Sequence, residues 1–334
     1  MASYNTIRGL RVKYLSADPA GAEDGQVWYN SSTGNLRVDG MVLAGSWAAG
    51  GNMGTGHQEC GGCGVQTAGL VFTGNDPGGL TANTEEYNGT SWSEQNNIGT
   101  ARTFLGSTGT QTAGLAIGGM LGEPTYAAQT LVEEYDGTNW TAGTALSAAK
   151  ANSTAFGIST AAFSLAGQDS PAIGVNVESY DGSSWSEGPN ISTGRNDAAS
   201  AGTTSSGMLV GGYAPSTSGK VNLTEEWDGS SWTAGGTYPV SLNQLGGSGS
   251  SNTSAVFFAG DSPPGSPPKI NTANIYDGTS FSATGSLAAV NGQMGTSKGT
   301  LTALSMGGNG PPTYRVETEE FTPPGTIVKT VSVS

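Results

Sequence analysis

The sequence predicts an all-β protein built as a six-bladed β-propeller, and three observations support this fold class. Glycine supplies 55 of the 334 residues, more than twice its usual share, while charged residues make up only 11%. Seven tryptophans and eleven tyrosines argue against disorder, and no apolar run is long enough to form a membrane-spanning helix. A unit of about 47 residues recurs six times, a period typical of four-stranded propeller blades.

Residues 1–40 precede the repeats and are expected to form a docking segment. Residues 25–38 read Gly-Gln-Val-Trp-Tyr-Asn-Ser-Ser-Thr-Gly-Asn-Leu-Arg-Val, which predicts a β-hairpin that turns at residues 32–35. A two-stranded hairpin is only marginally stable by itself, so we expect it to pack on the propeller or on a larger assembly.

Each repeat carries an apolar run that ends in a marker glycine. The marker glycines of repeats one to six are Gly74, Gly119, Gly167, Gly212, Gly260 and Gly308. In the first five repeats a second motif follows, such as Tyr135-Asp-Gly-Thr-Asn-Trp140, whose Asp-Gly pair is typical of a tight hairpin. Repeat two thus predicts strands over 103–108 and 112–118, a third strand ending at Tyr135 and a fourth carrying Trp140. The fourth-strand aromatics are predicted to pack between blades, and they are Trp47, Trp92, Trp140, Trp185, Trp232 and Phe281.

The sixth repeat lacks the hairpin motif and the second aromatic residue after Phe321. Residues 41–47 supply an unpaired copy of a fourth strand, ending in Trp47. We therefore expect this N-terminal strand to close the ring, which removes exposed sheet edges and fixes the blade count at six. The propeller then spans 41–321. Residues 322–334 are expected to form a C-terminal strand or tail that pairs with the hairpin or with a neighbouring subunit. The second pairing would make the protein a homo-oligomer.

A double glycine after an apolar strand, followed by Tyr and Trp at this period, resembles the kelch repeats over about residues 41–321. Repeats two, four and six keep the pair as Gly118-Gly119, Gly211-Gly212 and Gly307-Gly308. Thr73, Ala166 and Ala259 replace its first member in the other repeats. The resemblance implies a kelch-like propeller, and it carries no particular activity because propellers host many functions.

The formal net charge of −14 belongs to the repeats. Residues 1–46 hold four basic and four acidic side chains, so residues 47–334 carry the whole excess. An acidic surface repels nucleic acid and anionic membranes. We therefore expect no nucleic-acid partner and no membrane insertion.

One column of the alignment, seventeen residues before each marker glycine, is rich in hydrogen-bond donors. This collar consists of His57, Arg102, Lys150, Arg195, Asn243 and Asn291. It begins the innermost strands and is expected to ring the channel mouth on the face of the variable loops, near Asn152, Asn196, Asp197, Gln244 and Gln293. Two interpretations are open. The collar binds an anionic or hydroxyl-rich ligand such as a sugar, or each side chain caps loop carbonyls at the rim, which we favour.

The sequence contains few residues that could form a catalytic site. We therefore expect that the protein is not an enzyme and binds no cofactor. His57 is the only histidine, so a Ser-His-Asp mechanism would have to use it. The chain cannot supply the two histidines of the kelch-like copper oxidases, and it lacks the Asp-boxes of sialidase-type propellers. His57, Cys60 and Cys63 could supply three zinc ligands, but buried small side chains or a local disulfide are the alternatives, and we expect no metal.

Acidic pairs precede the third-strand aromatic in four repeats. They are Glu85-Glu86, Glu133-Glu134, Glu225-Glu226 and Glu319-Glu320. We expect them to face solvent on an outer strand rather than to bind calcium, because an Asp-rich loop is missing.

Residues 25–38 resemble short modules near the ends of fibre and appendage proteins of tailed bacteriophages. The resemblance implies a non-enzymatic virion structural protein, such as a capsid decoration, fibre or tail appendage. The first residues contain no secretory signal, which fits assembly in the host cytoplasm. Residues 1–40 would dock to other virion proteins, and the propeller would bind a host-surface glycan or a partner protein. The alternatives are an intracellular kelch-type adaptor and a carbohydrate-active enzyme.

Overall fold

The computed structural model describes residues 12–19, 27–41, 45–122, 126–169, 172–217, 219–263, 269–311 and 313–331. Among these residues the one helical element is a 3-10 turn at Pro215–Thr217, and no helix is long and apolar enough to cross a membrane. The chain divides into two compact units, one of Met1–Gly45 with Pro323–Ser334 and one of Ser46–Thr322.

The smaller unit is a four-stranded sheet. Its strands, in spatial order, are Lys13–Leu15, Val27–Asn30, Asn35–Met41 and Thr326–Val331. The middle two form the predicted hairpin, with Asn30 opposite Asn35. The C-terminal strand pairs with the hairpin, which was one of its two predicted partners. Residues 1–11, 20–26 and 332–334 of the predicted docking segment and tail lie outside the described residues.

The described residues of the larger unit form six four-stranded antiparallel sheets, one for each repeat. The first strands, here called inner strands, are Gly61–Val65, Gly106–Thr110, Thr154–Ile158, Ala199–Thr203, Gly246–Ser251 and Gly295–Thr296. The second strands are Ala68–Phe72, Ala113–Ile117, Ala161–Leu165, Ser206–Val210, Ser254–Phe258 and Ala303–Met306. The third strands are Thr84–Tyr87, Val132–Tyr135, Val177–Tyr180, Thr224–Trp227, Ala273–Tyr276 and Thr318–Thr322. The fourth strands are Trp92–Glu94, Trp140–Ala142, Trp185–Glu187, Trp232–Ala234, Phe281–Thr284 and, for repeat six, Ser46–Ala49.

The fourth strand of the sixth sheet comes from the other end of the repeat region. Ser46–Ala49 pairs antiparallel with Thr318–Thr322, which places Trp47 opposite Phe321. This strand therefore occupies the position that Trp92 and its equivalents hold in repeats one to five. Residues 42–44 of the predicted closing segment 41–47 lie outside the described residues. The inner strands of repeats six and one are also neighbours, as are those of each consecutive pair of repeats.

Aromatic rings fill the space between neighbouring sheets. Within repeat two, Tyr135 and Trp140 lie with their ring centroids 5.0 Å apart. Trp140 also contacts Phe72 of repeat one at 4.6 Å, and Trp47 contacts Phe258 of repeat five at the same distance. Such pairs contribute beyond their buried area, so these contacts stabilise adjacent sheets against each other.

Short loop strands stand between the second and third strands of three repeats. They are Asn75–Asp76 with Gly79–Leu80, Gln168–Asp169 with Ala172–Ile173, and Tyr213–Ala214 with Gly219–Lys220. These connections belong to the variable loops, the segments between the second and third strands that differ in length and sequence from repeat to repeat.

Candidate functional site

The collar does not face solvent. Each of its six side chains has at most 7% of its surface exposed. A ligand-binding collar requires accessible donors, so the structure corrects that interpretation for His57, Arg102, Lys150, Arg195, Asn243 and Asn291. The reason is electrostatic: four of the six positions are paired with a buried carboxylate within their own sheet.

The carboxylate is the first member of the acidic pair or its equivalent on the third strand. The pairs are His57–Glu85, Arg102–Glu133, Lys150–Glu178 and Arg195–Glu225. In repeat four, Arg195 Nη1 lies 2.5 Å from Glu225 Oε1, and the guanidinium also donates to the Leu209 carbonyl oxygen at 3.4 Å. Capping of carbonyls is therefore part of the observed role. These carboxylates are only 2–5% exposed, so the prediction that the first acidic residue faces solvent was wrong.

The second acidic residue links neighbouring sheets. Its carboxylate accepts a hydrogen bond from the third-strand tyrosine of the next repeat, in the pairs Glu86–Tyr135, Glu134–Tyr180, Glu226–Tyr276 and Glu320–Tyr87. Repeats four and six have Trp227 and Phe321 at the tyrosine position, and the preceding repeats then carry Ser179 and Ile275 in place of glutamate. Where the tyrosine hydroxyl is absent, the glutamate that would accept its hydrogen bond is absent too. The two residues therefore act as a pair that joins neighbouring sheets.

Cys60 and Cys63 are buried free thiols, so the local disulfide is not formed. Burial raises the pKa of both thiols to about 12, so both are protonated at neutral pH. The imidazole of His57 is directed to Glu85, with Nε2 3.6 Å from Oε1. Within the part of the chain that the structure describes, no cluster of three His, Cys, Asp or Glu side chains could hold a metal ion.

In repeat five, the spacing of seventeen residues between the collar residue and the marker glycine is wrong by one residue. In five repeats the carbonyl of the collar residue accepts a hydrogen bond from the preceding marker glycine, as Arg195 does from Gly167 at 3.0 Å. In repeat five the acceptor for Gly212 is Leu242, not Asn243. A register shift between Gly249 and Ser251 absorbs the extra residue. The true collar member of repeat five is therefore a leucine.

Two residues beyond the collar, six side chains surround the centre of the loop face. This mouth ring consists of Glu59, Phe104, Asn152, Asp197, Gln244 and Gln293. All six have φ between +53° and +58°, a conformation that costs non-glycine residues free energy. Their backbones form a closed cycle in which each amide donates to the carbonyl of the preceding repeat at 2.7–3.2 Å, including Glu59 to Gln293. Six hydrogen bonds offset the strain and hold the side chains in fixed positions.

Five of the six mouth-ring side chains are polar, two of them carboxylates, and all six are half-buried. Asn152 Nδ2 donates to Asp197 Oδ1 at 2.8 Å, and Asn75 Nδ2 donates to Glu59 Oε2 at 2.7 Å. Burial raises the pKa of both carboxyls above their ordinary values. The charge of Asp197 raises the pKa of Glu59 further, and the charge of Asp261 raises that of Asp197. The ring encloses a shallow depression of about 90 Å³.

A larger pocket of about 330 Å³ opens beside the ring, between the loops of repeats one and two. This loop pocket is lined by Glu59, Asn75, Gly79, Leu80, Thr103, Phe104, Met120, Leu121, Gly122 and Tyr126. Leu80 is 38% exposed and Tyr126 is 57% exposed, so apolar surface is open to a ligand. An aromatic wall beside a carboxylate and an amide can stack on a ring and accept hydrogen bonds from hydroxyl groups.

The repeat pattern did not predict this pocket. The sequence placed Asn152, Asp197, Gln244 and Gln293 near the collar, but it gave no role to Glu59, Phe104 or Tyr126. The missing signal was backbone conformation, since positive φ turns the ring residues inward and is not readable from side-chain type at Phe104 or Gln293. Tyr126 lies on a variable loop whose path the repeat pattern does not specify.

The chain matches no family model and no curated protein sequence. Among the solved structures that it resembles is one titled "Structure of YjhT", with a TM-score of 0.64 and 13% sequence identity. The match covers 85% of this chain and 99% of that chain. At this identity the likeness concerns the fold alone. Together with the six four-stranded sheets, it shows that the chain has an all-β, β-propeller-like fold.

Proposed function

We propose that this chain is a non-enzymatic binding protein whose loop pocket holds a saccharide. The observation that carries the proposal is the pocket itself, in which Phe104 and Tyr126 stand beside the hydrogen-bonded pair of Glu59 and Asn75. Sugars present apolar ring faces and a rim of hydroxyl groups, and this pocket offers aromatic surface and oxygen acceptors to match. Its volume of about 330 Å³ is at the small end of ligand sites, suited to one or two sugar rings.

The frame for this site is proposed to be a kelch-like six-bladed propeller closed by the N-terminal strand. Three features support it: the six sheets, the pairing of Ser46–Ala49 with Thr318–Thr322, and the cyclic hydrogen bonds of the mouth ring. A closed ring leaves no sheet edge to solvent and fixes loops from neighbouring repeats side by side.

A binding role is favoured over catalysis because the usual catalytic groups are occupied. His57 is fully buried against Glu85, and both cysteines are protonated thiols. Glu59 and Asp197 keep a second candidate open, a carbohydrate-active enzyme, since perturbed carboxyls in a depression can act as acid and base. Both carboxylates accept hydrogen bonds from asparagine amides, an arrangement that favours a fixed acceptor role.

The setting that we propose is the virion of a tailed phage, with a host-surface glycan as the ligand and other virion proteins as partners of residues 1–40. The resemblance of residues 25–38 to phage appendage modules supports this setting, and so does the separate small sheet built around that hairpin. Many copies on one particle would turn a weak sugar contact into firm attachment. Immunoblots of purified particles test it: deletion of residues 2–24 should remove the protein from the virion, and its retention would contradict the docking role.

A glycan array tests the binding proposal. Wild-type protein should bind a defined set of glycans, and Phe104→Ala with Tyr126→Ala should reduce that binding at least tenfold. Tyr213→Ala is the matched control, because Tyr213 is a 40% exposed loop tyrosine of repeat four, away from the pocket. Equal binding by all variants would contradict the proposal. Release of free sugar by wild-type protein, abolished in Glu59→Gln, would instead establish the enzyme.

A further inference from the structure

A third cavity lies among the inner strands of the larger unit. It adjoins the mouth-ring depression, with which it shares the lining residues Cys60, Leu105, Ser153, Ala198, Leu245 and Met294. Its volume is about 100 Å³, and all six repeats contribute to its lining. The polar side chains around it include Ser107, Ser153, Thr154, Thr296 and Lys298. It is distinct from the loop pocket, with which it shares no lining residue.

Lys298 is the charged group of this cavity. Its side chain is only 9% exposed, so it is nearly as buried as Lys150, whose ammonium pairs with Glu178 and donates to two backbone carbonyls. The Lys298 ammonium, by contrast, makes no hydrogen bond and no ion pair within the described part of the chain. Cys63 is the neighbouring titratable group, and its thiol is neutral because burial raises its pKa to about 12.

Lys298 is peculiar to repeat six. The same position, ten residues before the marker glycine, is glycine in repeats one to four, at Gly64, Gly109, Gly157 and Gly202. Those glycines have positive φ, and a Cβ there would lie 2.2–2.3 Å from a carbonyl oxygen. The inner strand of repeat six ends early, at Thr296, and frees this position for a long side chain. Repeat six therefore departs from the pattern by adding a cation to the cavity.

A second polar group at the cavity also lacks a partner. The Ser153 hydroxyl oxygen is buried and makes no hydrogen bond among the described residues. Two other hydroxyls at the cavity have partners, since Ser107 donates to the Gly62 carbonyl and Thr154 bonds to Ser200. Among the described residues, a 9% exposed lysine whose ammonium has no partner and a buried hydroxyl that makes no hydrogen bond line one cavity, an arrangement that is costly without a ligand.

We infer that this cavity is a binding site for a small anion of the size of acetate or phosphate. The anion would form an ion pair with the Lys298 ammonium and accept a hydrogen bond from the Ser153 hydroxyl. A cavity of about 100 Å³ admits such an ion with little accompanying water. The ligand would stabilise the folded chain, because the site is assembled from strands that are far apart in sequence.

Thermal unfolding of the full chain tests the inference. Acetate and phosphate are titrated separately at constant ionic strength, with a large sulfonate as the background anion. Wild-type protein should show a saturable rise of its melting temperature by a few degrees with at least one of the two. Lys298→Met should lose the rise, and Ser153→Ala should need several-fold more anion. Lys220→Met is the matched control, because Lys220 pairs with Asp261 on a loop and should respond as wild type does.

Two results would overturn the inference: equal rises in wild-type protein and Lys298→Met, or no rise with either anion. Crystals soaked in bromide provide a readout that needs no variant. An anomalous peak in contact with the Lys298 ammonium supports the site. A cavity that holds only water in those crystals contradicts it. Neither result bears on the saccharide pocket, which uses different residues.

Discussion

The ion pair of Arg195 and Glu225 offers a test of the buried collar for which the chain contains its own control. Repeat five carries Leu242 and Asn274 at the two equivalent positions, so nature has already replaced the pair by uncharged side chains in one sheet. We therefore expect Arg195→Leu with Glu225→Asn to be tolerated far better than either substitution alone.

The magnitudes follow from the contacts. Glu225→Asn leaves a fully buried guanidinium with only two carbonyl acceptors, at 3.2 and 3.4 Å, and should cost about 4 kcal/mol. Arg195→Leu leaves a carboxylate that still accepts from the Ser192 amide and hydroxyl, so its cost should be nearer 3 kcal/mol. The double variant strands no charge, and we expect a loss of about 3 kcal/mol for packing and lost hydrogen bonds, well below the sum of the two singles.

Urea unfolding of the wild type, both singles and the double gives the four free energies. The coupling energy should exceed about 2 kcal/mol. Arg195→Lys is a useful companion, since it keeps the charge and should retain part of the stability. Additivity of the two single substitutions within about 0.5 kcal/mol would refute the view that the collar is held by paired charges.

Three further predictions concern other parts of the larger unit. Tyr180→Phe removes the hydrogen bond to Glu134 and should cost about 1 kcal/mol in the same assay. Trp47→Ala and Trp140→Ala should each cost about 3 kcal/mol, because both rings contact a phenylalanine of the neighbouring repeat at 4.6 Å; a silent Trp47→Ala would mean that the N-terminal strand is dispensable. Burial lowers the pKa of Lys298 to about 8, so between pH 8 and its ordinary value the unfolded chain binds more protons. Wild-type stability relative to Lys298→Met should therefore rise by about 2 kcal/mol from pH 7.5 to 9.5, and a flat difference would contradict the burial of this charge.

Much of the fold could be predicted because the same residue types recur at the same strand ends and turns of each repeat. Strand-ending glycines, Asp-Gly turns and paired aromatics fix the four strands of each sheet, and the missing fourth strand of repeat six pointed to residues 41–47. The inner strands begin later than predicted, at Gly106 instead of residue 103 in repeat two, because Phe104 has a φ of +54° and pairs with the neighbouring repeat.

The capping of carbonyls by the collar was the favoured prediction, but the paired carboxylates were not predicted, because the collar was considered without its partners. A second column of the alignment contains these partners. Each collar residue of repeats one to four has a glutamate at the second position of its third strand, whereas repeat five has Leu242 and Asn274 at the two positions. The tyrosine and second-glutamate columns also vary together. Positions that change together from repeat to repeat therefore indicate that their side chains are buried partners. Composition alone does not give this information.

The loop pocket and the Lys298 cavity lay beyond sequence reasoning for different reasons. The pocket depends on the paths of two variable loops and on the inward turn of Phe104. The cavity depends on the early end of the sixth inner strand, which makes room for a side chain where the other strands need glycine. Both arise where a repeat departs from its pattern, since only there can one sheet acquire chemistry that the others lack.

The central claim is that the loop pocket binds a saccharide, and saturation-transfer NMR with a glycan selected on the array tests it most directly. Wild-type protein should transfer saturation to the protons of one sugar ring face, as expected for stacking on Phe104 or Tyr126, and the double alanine variant should show none while unfolding at the same temperature. Undiminished transfer in that variant, or no transfer from the wild-type protein, would contradict the claim.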